Sequence, residues 1–393
     1  MLLIFTVWSV QIINQRLLLI MKCYVVFVIF SVLVSLYVVL FHLAPMTSWK
    51  PVLLPTSPTN INKIQMRERT ENKHPQLTLA PRTNLIILSP GRGGSSFLGA
   101  LFDSNPQIMY WFEPLRTVSH LFNETRELIS YRETCMNVIN SFFKCDFTNL
   151  TNASTILYEL SRDSSRRKSK ALTSGYFLCP GNKAPVNCTP FTDTLLTKAC
   201  NSNKHTVIKI LTSRVPNKTI QSIQELFQQQ AYDVKLIHLV RDPRAVIYSR
   251  INSVKWINGA YMDDDFRLIV HDLCDPIEQN VRMGLISPPP WLKDRFKVIR
   301  YEDLVVDTSN IAQELYRFAG FDWSMSVDKW ITNHQRQPSN DKERTAYSLY
   351  RNVSHVIDQW KNAPEDLIRV VEDICGDLMK ILGYDKWIKL DNK

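Results

Sequence analysis

The stretch SPGRGGSSFLG, residues 89–99, combines residue types that suit the binding of an anion. Its glycines let the backbone wrap closely around a ligand, and Ser95 and Ser96 add hydroxyl donors. An apolar run precedes the loop and a helical pattern follows it, so backbone amides at the helix N-terminus would point at the bound group. The loop is predicted to hold a phosphate-like group, with Arg92 as its one cation.

The loop departs from two familiar nucleotide-binding patterns. A Walker A loop needs a lysine after its glycines, and none follows them here. In the dinucleotide pattern GxGxxG, the place of the third glycine is taken by Ser96. The alternative to an anion site is an ordinary glycine-rich connection. No group of residues has the spacing of a metal site, and no metal is expected.

A second motif, VKLIHLVRDPRAVIYSR, occupies residues 234–250. It predicts a strand ending at Val240, then Arg241, then a helix that begins near Pro243 and carries Ser249. Ser249 follows Arg241 by about two helical turns, so one phosphate would contact both side chains. The alternative is a turn closed by a salt bridge between Arg241 and Asp242.

The elements that must position these residues follow from short apolar runs alternating with helical patterns. Strands are predicted at 84–89, 108–112, 206–211, 234–240 and 296–301, and helices at 95–104, 217–230, 243–253 and 364–384. The apolar runs are mostly continuous, which is typical of a sheet covered on both faces. The pattern predicts an α/β fold with a central, mostly parallel sheet flanked by helices. Ligands bind beyond the carboxyl ends of strands in such a sheet.

The N-terminal part predicts a membrane anchor. Residues 24–44 are 21 residues without formal charge, and at ~1.5 Å per residue they match a hydrocarbon core of roughly 30 Å. Residues 1–23 would be a short cytoplasmic segment, with Met21 as an alternative start. Residues 45–82, rich in Pro, Thr and Asn, would be a luminal stem, and 83–390 the catalytic domain.

Sequons and cysteines indicate an oxidising, luminal compartment. Six N-x-S/T triplets all follow the apolar segment, which favours a type II orientation and glycosylation of Asn123, Asn149, Asn152, Asn187, Asn217 and Asn352. Seven cysteines also follow it, so at most three disulfides form within the chain. The net charge of +10 lies mostly outside the globular part and does not indicate nucleic acid. The basic run 166–170 suits either a polyanion or a solvated loop.

The motifs GRGGSSF…FEPL, HLVRDPRAVIYSR, VIRYEDL and RNVSHVIDQW…LGY together resemble the Golgi carbohydrate 6-O-sulfotransferases, which modify GlcNAc, Gal or GalNAc. The resemblance covers roughly residues 84–385, with the motifs in the family's order. It implies a P-loop-NTPase-like sulfotransferase fold in a Golgi membrane protein. It also implies transfer of a sulfuryl group from 3′-phosphoadenosine 5′-phosphosulfate (PAPS) to a glycoprotein or glycosaminoglycan acceptor. The oligomeric state stays open, with a homodimer among the options.

The resemblance also assigns residues to the nucleotide. The 5′-phosphosulfate loop would consist of Arg92, Gly93, Gly94, Ser95, Ser96 and Phe97. Arg241 and Ser249 would hold the 3′-phosphate, and Arg351 would also touch the nucleotide. The family usually has serine where this chain has Gly93, which removes one hydroxyl from the loop.

Sulfuryl transfer needs a cation at the leaving group and a base at the sugar hydroxyl. Arg92 is a permanent cation that would stabilise the bridging oxygen as charge develops. Glu113, in YWFEPLR, follows the second predicted strand and is expected to be the base, its pKa raised by Trp111 and Phe112. The alternative is a structural carboxylate paired with Arg92 or Arg116, with His120 as the second candidate base. VIRYEDL is expected to be a strand-to-loop element in which Glu302 or Asp303 fixes basic neighbours.

Two other functions share this layout. A Golgi glycosyltransferase would use the D-x-D within MDDDF, residues 262–266, to bind Mn²⁺ and a nucleotide sugar. An inactive, membrane-anchored glycan-binding protein would not need Arg92, Arg241 and Ser249, all of which are present.

Overall fold

A computed structural model describes residues 82–122, 128–162, 169–173, 191–230, 232–254, 264–335 and 357–387. Within these ranges, no helix combines the length and apolar character that a bilayer crossing requires. The expected cytoplasmic segment, anchor and stem lie outside the described residues except for Arg82, as does most of the basic run 166–170. Four predicted site residues also lie outside them: Asn123, Asn187, Arg351 and Asn352.

The described residues contain one sheet of five parallel strands, in the order β2-β3-β1-β4-β5. The strands are β1 Thr83–Ser89, β2 Ile108–Phe112, β3 His205–Leu211, β4 Asp233–Val240 and β5 Phe296–Arg300. Each coincides with a predicted apolar run to within one residue. The predicted α/β fold with a parallel sheet is confirmed.

Both faces of the sheet are covered, which explains the continuous apolar runs. Ile86 and Leu88 of β1 belong to a cluster on one face, whereas Leu85 and Ile87 belong to a cluster on the other. All four side chains are fully buried. A half-exposed sheet would instead show an alternation of apolar and polar residues.

Helices connect the strands and cover the two faces. They are α1 Ser95–Asp103, α2 Leu115–Leu121, α3 Leu128–Lys144, α4 Ala153–Arg162, α5 Lys170–Thr173, α6 Asp193–Asn201, α7 Pro243–Val254, α8 Asp264–Val281, α9 Tyr301–Val306, α10 Thr308–Ala319, α11 Met325–Gln335, α12 Glu365–Ile374 and α13 Gly376–Leu382. The helices predicted at 95–104 and 243–253 are confirmed as α1 and α7. These two helices follow β1 and β4, the neighbouring strands at the centre of the sheet.

The α-helix predicted over 217–230 is wrong. The chain forms 3₁₀ turns there, Pro216–Lys218 and Ile220–Gln228. Asn217 and Lys218 adopt positive φ values of 52° and 56°, and Thr219 is extended, so a continuous α-helix cannot pass through them. Thr219 then accepts a hydrogen bond from the amide of Gln221 and begins the second segment.

The single C-terminal helix predicted over 364–384 is also wrong, because it is divided into α12 and α13. The break lies at Cys375, whose sulfur forms a disulfide with Cys274 on α8. Gly376, a weak helix former, follows directly. The predicted stop at Gly383 is confirmed, with a φ of 72°.

Disulfides, expected from the cysteine count, are present. Cys145 is joined to Cys200, and Cys274 to Cys375. Among the described residues, Cys135 is the cysteine outside a disulfide, and it is buried. Cys179 and Cys188 lie outside the described ranges.

Arg82, the last residue of the expected stem, is bound to the folded part of the chain. Its Nε donates to Thr206 Oγ1 at 2.9 Å, and its Nη1 donates to the carbonyl of Asn203 at 2.7 Å. Burial lowers the pKa of the Arg82 guanidinium to about 10. These contacts fix the chain at the entrance to β1.

Candidate functional site

The glycine-rich loop joins the carboxyl end of β1 to the N-terminus of α1. Gly94 precedes the helix with a φ of 88°, and a Cβ there would overlap the ring of Tyr301. A side chain at Gly93 would overlap the Ser89 hydroxyl and approach the Pro90 carbonyl to 2.9 Å. Glycine is thus required at both positions for steric reasons. A glycine at position 93, where the family usually has serine, leaves room for the Ser89 hydroxyl.

Arg92 lies at the tip of this loop in a left-handed conformation, with a φ of 75°. Its Nε donates a hydrogen bond to Ser249 Oγ at 3.0 Å. Its carbonyl oxygen accepts one from Arg241 Nη1, also at 3.0 Å. The structure therefore brings together Arg92, Arg241 and Ser249, which the sequence assigned to two separate motifs.

A third arginine, missed in the sequence, belongs to the same group. The Nε of Arg250 donates to the carbonyl of Gly91 at 3.4 Å, and burial lowers the pKa of its guanidinium to about 10. Arg250 directly follows Ser249, so its proximity to the motif was the available signal. Helix α7 thus contacts the loop through consecutive residues.

The turn between β4 and α7 contains a salt bridge of Asp242, but not the predicted one with Arg241. Asp242 pairs with Arg244 at 2.7 Å, not with Arg241. Arg244 also pairs with Glu372 at 2.5 Å. The Arg241 guanidinium instead lies 5.0 Å from the ring centroid of Tyr301, a cation–π geometry.

The remaining loop residues divide between the site and the core. Ser95 is buried and Ser96 half-buried in the first turn of α1. Phe97 is buried, and its ring lies 5.1 Å from that of Trp330 on α11. The phenyl group thus anchors the start of α1 to the core, and the first amides of the helix point out of its N-terminus.

Glu113 follows β2 at the same edge of the sheet and is tied by two cations. It has a φ of 49° and is 9% exposed. One carboxylate oxygen pairs with Lys209 Nζ and the other with Arg214 Nη1. The structural alternative predicted that Glu113 pairs with Arg92 or Arg116. The structure shows Lys209 and Arg214 as its partners instead. Two cations in direct contact with a carboxylate stabilise its ionised form.

The surroundings of Glu113 are cationic where aromatic ones were expected. The Trp111 ring packs in the core, 4.5 Å from that of Phe142. The centroid of the Phe112 ring lies 4.0 Å from Lys209 Nζ. Lys209 was missed in the sequence, although a lysine within the apolar strand TVIKIL was a visible signal. Arg214 had no local signal, because its partner lies far away in the chain.

The other candidate residues in the described ranges are exposed. His120 is exposed on α2. Asn149, Asn152 and Asn217 are exposed, as glycosylation requires. Among the described residues, no group of three His, Cys, Asp or Glu side chains is arranged to hold a metal ion.

The acidic run and VIRYEDL also have defined places. Asp264 and Asp265 are exposed at the start of α8, and residues 262 and 263 lie outside the described ranges. Tyr301 begins the helix α9 directly after β5, so VIRYEDL is strand-to-helix and not strand-to-loop. Asp303 pairs with Arg300 at 3.3 Å, as expected. Glu302 accepts hydrogen bonds from the Asp242 amide and the Tyr384 hydroxyl, and its charge interacts with that of Arg241.

Comparison with known proteins gives one family. The model of the sulfotransferase domain matches residues 82–383. Carbohydrate sulfotransferase 3 of Tetronarce californica is 32% identical over 78% of this chain and 73% of its own length. Carbohydrate sulfotransferase 5 of Mus musculus is 30% identical over 78% of this chain and 82% of its own. The crystal structure of mouse sulfotransferase SULT7A1 complexed with PAP is 12% identical, with a TM-score of 0.38, over 78% of this chain and 90% of that one.

Proposed function

The chain belongs to the sulfotransferase domain family, and from this premise we propose that it transfers a sulfuryl group from PAPS to a hydroxyl of a carbohydrate. The relatives named above are carbohydrate sulfotransferases, and they align along most of the chain. The observation that carries the proposal is the 3.0 Å hydrogen bond between Arg92 and Ser249. It brings the two predicted phosphate-binding motifs into one site.

The nucleotide would lie across these two motifs. The loop Arg92–Phe97 would hold the 5′-phosphosulfate with its glycine backbone, its helix amides and the hydroxyls of Ser95 and Ser96. Arg241 and Ser249 would hold the 3′-phosphate, and Arg351 would add a further contact. A buried site rich in guanidinium groups suits two phosphates, because charge-assisted hydrogen bonds are about twice as strong as neutral ones.

The acceptor is proposed to lie between Glu113 and the glycine-rich loop. β2 and β1 are separated by β3, so Glu113 and the glycine-rich loop are two strand spacings apart, about 10 Å. We place the sugar hydroxyl and the sulfuryl group in that interval. Tyr131, on α3, donates a hydrogen bond to the carbonyl of Arg214 at 2.7 Å and fixes the backbone of this Glu113 partner.

In the proposed reaction, the sugar oxygen attacks sulfur in line and forms the new S–O bond. The bond from sulfur to the bridging oxygen breaks, and 3′-phosphoadenosine 5′-phosphate (PAP) leaves with that electron pair. Arg92 stabilises the charge on the bridging oxygen. Glu113 takes the proton of the sugar hydroxyl. Lys209 and Arg214 keep the carboxylate ionised and in place before the reaction, and each of its oxygens has a second lone pair that can receive the proton.

We further propose the 6-OH of GlcNAc, Gal or GalNAc, on a glycoprotein or glycosaminoglycan, as the acceptor. Support for this finer assignment comes from the motif resemblance. A type II Golgi membrane location is proposed from the uncharged segment 24–44 and the sequons that follow it. PAPS is the proposed co-substrate.

The test is sulfation by the full-length protein of a glycan panel, with ³⁵S-labelled PAPS. The panel contains desulfated chondroitin, keratan, and simple glycans ending in GlcNAc or Gal. We expect label on one acceptor and its loss in Arg92→Ala, by about 10²–10³ in rate. Absence of label together with absence of PAP binding would refute the proposed function. PAP binding without label would refute the acceptor assignment alone.

A further inference from the structure

Glu302, in the first turn of α9, has a buried carboxylate that the reaction does not use. The residue is 7% exposed. Its Oε1 accepts a hydrogen bond from the backbone amide of Asp242 at 3.1 Å, and its Oε2 accepts one from the Tyr384 hydroxyl at 2.7 Å. A buried carboxylate with both oxygens engaged is held in a single orientation.

The Asp242 amide is the first backbone group after Arg241, the residue proposed to hold the 3′-phosphate. On its other side, the Asp242 carboxylate accepts from the amide and guanidinium of Arg244 at 2.9 and 3.0 Å. The turn that leaves β4 is therefore held at its amide by Glu302 and at its side chain by Arg244. The direction in which Arg241 leaves the sheet depends on this turn.

Tyr301, the residue before Glu302, contacts the guanidinium of Arg241. The Tyr301 ring is 5.0 Å from the Arg241 guanidinium, and it also lies against Gly94 of the loop. Tyr301 and Glu302, consecutive residues of α9, thus contact the Arg241 guanidinium and the backbone amide that follows Arg241. Tyr384 extends this arrangement to the segment that follows α13.

Building on the proposed function, we infer that Glu302 is a positioning residue for the 3′-phosphate: its carboxylate fixes the Asp242 amide and thereby aims Arg241. Glu302 itself touches neither phosphate nor sugar. Loss of the Glu302 carboxylate is expected to weaken the binding of nucleotides that carry a 3′-phosphate and to leave the binding of other nucleotides unchanged. A carboxylate that served stability alone would affect both kinds of nucleotide equally.

The test compares PAP with adenosine 5′-phosphate, which lacks the 3′-phosphate, by calorimetric titration of the full-length protein. Glu302→Met keeps the length of the side chain and removes both acceptors. We expect PAP to bind about tenfold more weakly and adenosine 5′-phosphate to bind as before. Glu302→Gln keeps an acceptor for the Asp242 amide, so it should preserve the ratio of the two affinities. Asp303→Asn, at the exposed neighbouring carboxylate, is the matched control and should also preserve it.

Tyr384→Phe provides a second variant if Glu302→Met does not fold. It removes one of the two bonds to Glu302, and we expect a loss of about threefold for PAP alone. Equal weakening of both nucleotides, or no change in either variant, would overturn the inference while the proposed function stands. A wild-type protein that binds both nucleotides equally would overturn the inference and the assignment of Arg241 together.

Discussion

Replacing Glu113 with glutamine separates a catalytic base from a structural carboxylate. The change removes the negative charge between Lys209, which is 3% exposed, and Arg214, which is 19% exposed. Removing the charge of one partner of a buried ion pair costs about 3–5 kcal/mol of unfolding free energy, and the low end applies because the amide oxygen still accepts from Lys209, whose Nζ also lies over the Phe112 ring. Loss of a general base lowers turnover by about 10²–10⁴. We therefore expect both stability and turnover to fall.

A second substitution separates the two effects. Lys209→Met, added to Glu113→Gln, removes the more deeply buried of the two cations and leaves Arg214, which is 19% exposed and whose pKa burial lowers to about 10. We expect the double variant to recover part of the unfolding free energy in chemical denaturation. Its turnover with ³⁵S-labelled PAPS should stay low, while PAP binding is retained in both variants. Turnover of Glu113→Gln within a few-fold of wild type would refute the assignment of the base, whatever its stability.

Three further outcomes are expected. Gly93→Ser should cost about 1–3 kcal/mol in chemical unfolding because its side chain meets the Ser89 hydroxyl, and Ser89→Ala should restore part of it; an unchanged midpoint would contradict the steric account. Burial raises the pKa of Asp103 from 3.8 to about 7, so its contribution to stability is complete below pH 4 and is lost as pH rises to 7. Asp103→Asn should remove that contribution to the pH dependence of unfolding, at most about 1.4 kcal/mol per pH unit, and an identical profile would contradict it. Replacing Cys274 and Cys375 by alanine opens a closed loop with a sequence separation of 101 residues and should cost about 4 kcal/mol of unfolding free energy; a loss below 1 kcal/mol would contradict this expectation.

The sheet was predictable because its strands are short, apolar and bounded by turn residues. In a parallel sheet covered on both faces, local composition alone marks each strand. The glycine-rich loop and Arg241 were found for a related reason. Each directly follows a strand, and the carboxyl ends of parallel strands meet at one edge.

The failures have non-local causes. The ion pairs of Glu113 join residues that are far apart in the chain, and nothing in YWFEPLR indicates Lys209 or Arg214. The C-terminal pattern has helical periodicity on both sides of Cys375, and the break coincides with a disulfide to another helix. The residues that Glu302 contacts could likewise not be read from VIRYEDL. Local patterns locate elements, whereas the partners of buried charges depend on the assembled fold.

The strand order also has a consequence for how the chain is made. β1 lies at the centre of the sheet, but both of its neighbours, β3 and β4, come more than a hundred residues later in the sequence. At a synthesis rate of about 5–20 residues per second, β1 waits on the order of ten seconds for its first partner. During that time a strand with the apolar centre LIIL, residues 85–88, has two unpaired edges, which are templates for aggregation. A nascent chain that stops before residue 205 cannot pair β1 on either side, so translational pauses within 90–204 should be the point at which this protein depends most on chaperones.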